Sequence, residues 1–163
     1  MCLVVDTNSR GRFLSDDEPA ALLRHWVESG RGKLLHIDVG RWRAEHHSSS
    51  AEWQQQVQEY ERNGFLKIVA KGKFDAALKN LPEKIKSDEN EQKNDRHVLA
   101  LACAGGARLL YSADKNLRDD FKVTVDGGKI YPGVGGQSDS NPKRTPRRCR
   151  EVLRSGGLCD RGA

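Results

Sequence analysis

The sequence predicts an α/β domain with a central, mostly parallel sheet flanked by helices. Short apolar runs alternate with segments of helical periodicity along most of the chain, which is typical of consecutive β-α-β units. The first run, residues 2–6, has no polar interruption before its final acid, as expected for a strand buried on both faces. The 163 residues, 36% hydrophobic and 31% charged, fit one domain with a modest core and a highly charged surface.

The first half of the chain contains three predicted strands, separated by helices. Residues 2–6 form the first strand. Ser15, followed by acids and Pro19, predicts the start of a helix that runs to residue 28 and ends before Gly30. Residues 33–39 predict a second strand, although the same pattern would also fit the start of a helix. Ser50 caps a helix over 51–62, and residues 65–69 predict the third strand.

The second half continues the same alternation. A short helix over 74–81 ends at Pro82, and a helix over 94–104 ends at the two glycines that follow it. Residues 108–111 predict a strand and 117–121 a short helical turn. Residues 123–125 and 130–131 are predicted edge strands.

The region after residue 131 differs in composition from the domain that precedes it. Residues 127–146 are rich in Gly, Ser, Asn and Pro, so we place the domain at 1–131, and a linker and basic tail at 132–163. Residues 143–163 hold seven of the 28 basic side chains and two of the 23 acidic ones, so this segment carries the whole net charge of +5. Such a segment indicates either a polyanion-binding surface or a solvated, disordered tail. The candidates for nucleic-acid contact are Lys143, Arg144, Arg147, Arg148, Arg150 and Arg154.

Several classes of protein do not fit the sequence. No apolar run approaches the roughly 20 residues that a membrane-spanning helix requires, and the first residues lack the basic segment of a secretory signal. We therefore expect a cytoplasmic protein without a membrane partner. The four cysteines form no C-x-x-C pair, so we expect free thiols and neither a structural zinc site nor a disulfide framework.

Three carboxylates fall where ligand sites form in parallel sheets. Asp6 ends the first strand, Asp114 follows the strand at 108–111, and Asp95 lies in the first turn of a helix. Because the carboxyl ends of parallel strands share one edge, we expect Asp6 and Asp114 to face one crevice. Taken singly, Asp114 would also fit a turn or cap, and Asp95 a residue favoured by the helix dipole.

Clustered carboxylates repel one another unless a hard divalent cation neutralises them. Mg²⁺ and Mn²⁺ prefer oxygen ligands and keep bound waters, so such a site can polarise a phosphodiester and activate water. The expected chemistry is therefore metal-dependent nuclease chemistry that needs no Ser, Cys or His nucleophile.

Three segments in this order resemble PIN-domain ribonucleases, particularly the VapC-like toxins of bacterial toxin–antitoxin pairs. The segments are 3–8 (LVVDTN), 94–102 (NDRHVLALA) and 109–114 (LLYSAD), and the resemblance covers about 2–131. It implies a PIN-like three-layer fold and a Mg²⁺ or Mn²⁺ site made by Asp6, Asp95 and Asp114. It also implies a fourth catalytic carboxylate on a helix after the second strand, for which Glu45 is the first candidate and Asp38 and Glu52 are alternatives.

The resemblance further implies roles for neighbouring residues and for partners. Thr7, Asn8 and Ser112 would orient the ligands. The implied activity is that of an endoribonuclease, a toxin or a related defence nuclease, with RNA as substrate, a cognate antitoxin as inhibitor and a homodimeric assembly. Two alternatives remain open: a non-catalytic RNA-binding module with a degenerate site, and a structure-specific DNA nuclease.

Overall fold

The computed structural model describes residues 2–38, 46–82, 85, 94–134 and 145–155, and only the backbone of residues 94 and 95. Its five strands form one all-parallel sheet in the order β3-β2-β1-β4-β5, which confirms the predicted fold class. The strands are β1 (Cys2–Val5), β2 (Lys33–His36), β3 (Leu66–Ile68), β4 (Ala107–Tyr111) and β5 (Lys129–Ile130).

Seven α-helices flank this sheet within the described residues. A 3₁₀ turn at Thr7–Ser9 precedes the first of them. The helices are α1 (Arg10–Phe13), α2 (Glu18–Glu28), α3 (Ala51–Arg62), α4 (Lys71–Asn80), α5 (Asn94–Gly105), α6 (Lys115–Thr124) and α7 (Thr145–Arg154).

The two faces of the sheet carry separate cores, because successive side chains of a strand point to opposite faces. Leu3 and Val5 of β1 pack with apolar side chains of α2, α3 and α7. Cys2 and Val4 pack with those of α4, α5 and α6. Both faces of the central strand are therefore covered, which accounts for its uninterrupted apolar sequence.

Most predicted elements lie within two or three residues of their observed bounds, but three differ in kind. Residues 123–124, predicted to be part of an edge strand, continue α6, because Leu117 and Phe121 share one buried helical face while Val123 is 85% exposed. The short α1 was not predicted. The third difference is α7, a helix inside the segment 132–163 that was set apart as a linker and tail.

Helix α7 packs on the domain through one face. Cys149 is fully buried, and Val152 and Leu153 pack against the same core. At its start, a side chain on Gly133 would meet Thr145 Cγ2 at 2.8 Å and Pro19 Cγ at 3.0 Å. This close approach requires a glycine, which also adopts a φ of +79°.

The described cysteines are not all free thiols. Cys103 and Cys149 are free, as predicted. Cys2 is disulfide-bonded, which contradicts the prediction for that residue, and its partner lies outside the described residues. Within the described ranges, no helix is both long enough and apolar enough to cross a membrane.

Candidate functional site

The candidate site lies where the carboxyl ends of β1 and β4 meet. These neighbouring strands are parallel, with Val5 paired to Tyr111, so Asp6 and Ser112 follow them side by side. The Asp6 N–H donates to the carbonyl of Tyr111 at 3.0 Å. The helices that follow β1 pack on one face of the sheet, and the helix that follows β4 packs on the other face. In parallel sheets, ligands bind in the crevice that forms where the chain direction switches in this way.

A buried serine joins the Asp6 carboxylate to the backbone of Asp114. The Ser112 hydroxyl donates to Asp6 Oδ2 at 2.9 Å and accepts from the backbone N–H of Asp114 at 3.0 Å. Ser112 is fully buried and Asp6 is 5% exposed. The structure therefore brings Asp6 and Asp114 to one edge, and Ser112 contacts both residues.

A second serine, Ser9, ties the same two loops together. Its hydroxyl accepts from the backbone N–H of Ala113 at 3.1 Å, and its own N–H donates to the carbonyl of Asp6 at 3.0 Å. Ser9 is 3% exposed. The sequence prediction missed this residue. The only signal was a small polar side chain three residues after Asp6.

Asp114 also caps a helix. Its Oδ1 accepts from the backbone N–H of Leu117 at 3.1 Å, at the start of α6. The sequence position of Asp114 would also fit a helix cap, and the structure shows that cap. The cap uses Oδ1 of the carboxylate.

The environment of Asp6 disfavours its charged form. Burial raises the pKa of its carboxyl above the ordinary value of 3.8, and the negative charge of Asp114 raises that pKa further. The hydrogen bond from Ser112, the backbone N–H of Thr7 and the imidazole of His97 lower it. A bound cation would offset both the burial and the repulsion, so the two carboxylates fit a hard divalent ion.

Several predicted residues contribute differently or lie outside the described part of the chain. Thr7 is half-buried and acts on Asp6 through its backbone, while Asn8 is exposed on the same turn. Glu45, Lys143 and Arg144 lie outside the described residues, as does the side chain of Asp95. Among the residues that the structure describes, no group of three or more His, Cys, Asp or Glu side chains is arranged to hold a metal.

The two alternatives to Glu45 are both exposed. Asp38 follows β2 at the same edge of the sheet, and its Oδ1 lies 4.0 Å from His47 Nε2, with a side chain that is 61% exposed. Glu52 lies in the first turn of α3.

A group of basic and aromatic side chains, which the sequence prediction missed, lies around His36 at the carboxyl end of β2. The Arg10 guanidinium sits 5.0 Å from the centre of the Trp53 ring, a cation–π contact. The ring centres of His36 and His46 are 5.0 Å apart. Burial, with the charge of His46 next in size, lowers the pKa of His36 to about 4. At neutral pH His36 is therefore uncharged.

Comparisons with protein-family models, with curated proteins and with solved structures found no match.

Proposed function

We propose that this chain is a Mg²⁺- or Mn²⁺-dependent endoribonuclease whose active site includes Asp6 and Asp114. The observation that carries the proposal is the pair of acids at the carboxyl ends of β1 and β4, joined through the buried hydroxyl of Ser112. The negative charge of Asp114 raises the pKa of the Asp6 carboxyl, and a bound cation would offset that repulsion. The resemblance of 94–102 to PIN-domain ribonucleases adds Asp95 as a third proposed ligand and Glu45 as a fourth carboxylate.

Each residue has a distinct part in the proposed reaction. A bound hard cation would polarise a phosphoryl oxygen and lower the pKa of water. Asp6 and Asp114 would hold that cation with carboxylate oxygens, and the Ser112 hydroxyl, which donates to Oδ2 of Asp6, would fix the orientation of that carboxylate. Water adds to phosphorus, one P–O ester bond of the RNA backbone breaks, and the leaving oxygen takes a proton.

The test compares cleavage of a labelled single-stranded RNA by the wild type and by Asp6→Asn, with Mg²⁺ or Mn²⁺ and with EDTA. We expect cleavage that requires the metal and is lost in the variant. Asp126→Asn is the matched control. Asp126 is exposed and precedes β5, so it lies near the amino ends of the strands, away from the candidate site. Metal-independent cleavage, or an Asp6→Asn enzyme as active as the control, would contradict the proposal.

Thermal unfolding gives a readout that does not depend on activity. A cation that binds only the folded protein raises its stability by RT ln(1 + [L]/Kd). Mn²⁺ should therefore raise the Tm of the wild type and of Asp126→Asn, but not that of Asp6→Asn. A wild type that binds RNA without cleaving it indicates the binding module, and equal cleavage of matched DNA indicates the DNA nuclease.

The proposal includes a biological role as a toxin or related defence nuclease, which rests on the resemblance alone. In that role a cognate antitoxin would cover the crevice, and two copies of the chain would form a homodimer. Growth arrest on expression that Asp6→Asn relieves, and the mass of the purified protein in sedimentation, test the two parts separately.

A further inference from the structure

Helix α7 has two sharply different faces. Thr145, Cys149 and Leu153 lie on the side that packs against the domain. At about 100° per residue, Arg147, Arg150 and Arg154 form a stripe on the opposite side. All three arginines are exposed, and the stripe extends about 10 Å along the helix axis.

The packing fixes where this stripe begins. Tyr131, directly after β5, donates its hydroxyl to the carbonyl of Pro19 at the start of α2. Gly133 lies against both Thr145 and Pro19, so α7 starts at the end of the sheet that holds Asp6. At the other end, Ser155 contacts Lys129 at the start of β5. The helix therefore leads away from the edge of the candidate site along the side of the domain.

The arginines of the stripe remain available to an anion. The Arg147–Glu151 pair, at 3.2 Å, and the Arg150–Glu18 pair, at 3.7 Å, are both on the surface. Surface pairs of this kind contribute about 0–1 kcal/mol, so a phosphate can replace either carboxylate. Arg154 completes a row of three guanidinium groups on a protein whose first 142 residues have no net charge.

We propose that the arginine stripe of α7 binds the sugar-phosphate backbone of the RNA that the crevice cleaves, which rests on the proposed function. Guanidinium groups suit phosphates because their planar donors match the phosphate oxygens. β5 lies two strands from β1, about 10 Å across the sheet, and the stripe lies on the side of α7 opposite the domain, so an RNA strand in the crevice must extend beyond the cleaved bond to reach it. Binding to the stripe should therefore depend on the length and charge of the RNA and not on its base sequence.

The experiment measures binding of a fluorescent single-stranded RNA by anisotropy, in EDTA and over a range of salt concentrations. The test variant is the triple substitution Arg147→Gln, Arg150→Gln and Arg154→Gln. The matched control is the triple substitution Arg31→Gln, Arg62→Gln and Arg108→Gln, which removes the same charge from exposed arginines at the opposite edge of the sheet. Circular dichroism and Tm check that both variants are folded.

We expect the α7 variant to bind roughly 10- to 100-fold more weakly near 0.15 M salt, with a slope of log K against log salt about 2 units shallower. The control should stay within about threefold of the wild type. A triple Arg→Lys variant of the same stripe should keep most of the slope. Equal losses in the α7 variant and the control would overturn the inference, since net charge alone would then explain the binding. So would an α7 variant that binds like the wild type.

Two further measurements separate this inference from the proposed function. If the wild type cleaves RNA, the α7 variant should lose kcat/KM on long substrates and keep it on those of about four nucleotides. If the α7 variant binds RNA as the wild type does, while cleavage depends on Asp6, only the inference is overturned. If the α7 variant binds more weakly but the wild type does not cleave RNA, only the proposed function is overturned. Poly-glutamate that competes as well as RNA of equal charge would overturn the assignment to nucleic acid.

Discussion

Replacing Ser112 by alanine removes the hydroxyl that joins the two sides of the crevice. The substitution deletes a hydrogen bond to the Asp6 carboxylate and one from the Asp114 N–H. The Asp6 carboxylate, 5% exposed, loses a contact where water has little access, and the partly buried N–H of Asp114 loses its acceptor. We therefore expect the free energy of unfolding to fall at neutral pH.

The size of this effect follows from the two bonds. A hydrogen bond to a charged group contributes about 1.5–3 kcal/mol and a neutral one about 0.5–1.5, so the expected loss is about 2–4 kcal/mol. With a urea m value of about 2 kcal/mol/M, in the middle of the usual range, the midpoint falls by roughly 1–2 M. The loss also raises the pKa of Asp6, because the Ser112 hydrogen bond lowers it in the wild type. The destabilisation should thus shrink at pH values where Asp6 is protonated.

Urea unfolding in EDTA, followed by tryptophan fluorescence, measures the change without interference from metal. Ser29→Ala is the matched control, because the Ser29 hydroxyl makes one local bond to the carbonyl of Trp26 at 2.8 Å on an exposed turn. A double-mutant cycle of Ser112→Ala with Asp6→Ala should give a coupling of about 1.5–3 kcal/mol. A Ser112→Ala loss no larger than that of Ser29→Ala, or strict additivity in the cycle, would refute the reasoning.

Three further predictions concern the fold. Gly105→Ala should destabilise by about 1–3 kcal/mol, because its Cβ would lie 2.4 Å from Leu35 Cδ1. Gly72→Ala, with nothing within 4 Å, should stabilise by up to about 1 kcal/mol in the same unfolding assay. Because the pKa of His36 is lowered to about 4, the uncharged imidazole stabilises the fold above pH 6.5, and about 3 kcal/mol is lost as the pH falls to 4. His36→Gln should flatten that profile. Under reducing conditions, which remove the contribution of the Cys2 disulfide, a chain that ends after residue 144 should bind an apolar-surface dye and unfold at a lower Tm, because Cys149 is fully buried.

Each of these predictions has an outcome that contradicts it. Equal effects of the two glycine substitutions would mean that the close contact with Leu35 is relieved at no cost. If the His36→Gln variant loses as much stability at low pH as the wild type does, then groups other than His36 cause that loss. A shortened chain as stable as the full one would show that α7 contributes nothing to the core.

The sequence predicted the sheet well because its strands are short, apolar and followed by turns. Residues 2–5 are all buried, and a strand buried on both faces is apolar throughout, so its composition predicts its position. The alternation of elements then fixed which strand ends share an edge. Asp6 and Asp114 could therefore be paired from the sequence alone, although 108 residues separate them.

The contributions of Ser9, Arg10 and α7 could not be predicted, because each depends on packing between distant segments. Ser9 acts through a backbone N–H on another loop, and Arg10 is recognisable only once Trp53 lies beneath it. In α7, arginines dominate the sequence. One buried apolar residue, Cys149, and two partly buried aliphatic ones gave too weak a pattern to distinguish a packed helix from a charged tail.

The pairing of β1 with β4 has a consequence for the chain as it is being made. Cys2 pairs with Ala107 and Val5 with Tyr111, so the first strand waits for more than a hundred further residues before it gains this neighbour. At about 5–20 residues per second, that is on the order of 5–20 s of synthesis. Until then Asp6 has neither Ser112 nor Asp114 beside it, and a partly translated chain lacks the assembled crevice. If the proposed function holds, a ribosome would finish most of the protein before its product could cut RNA.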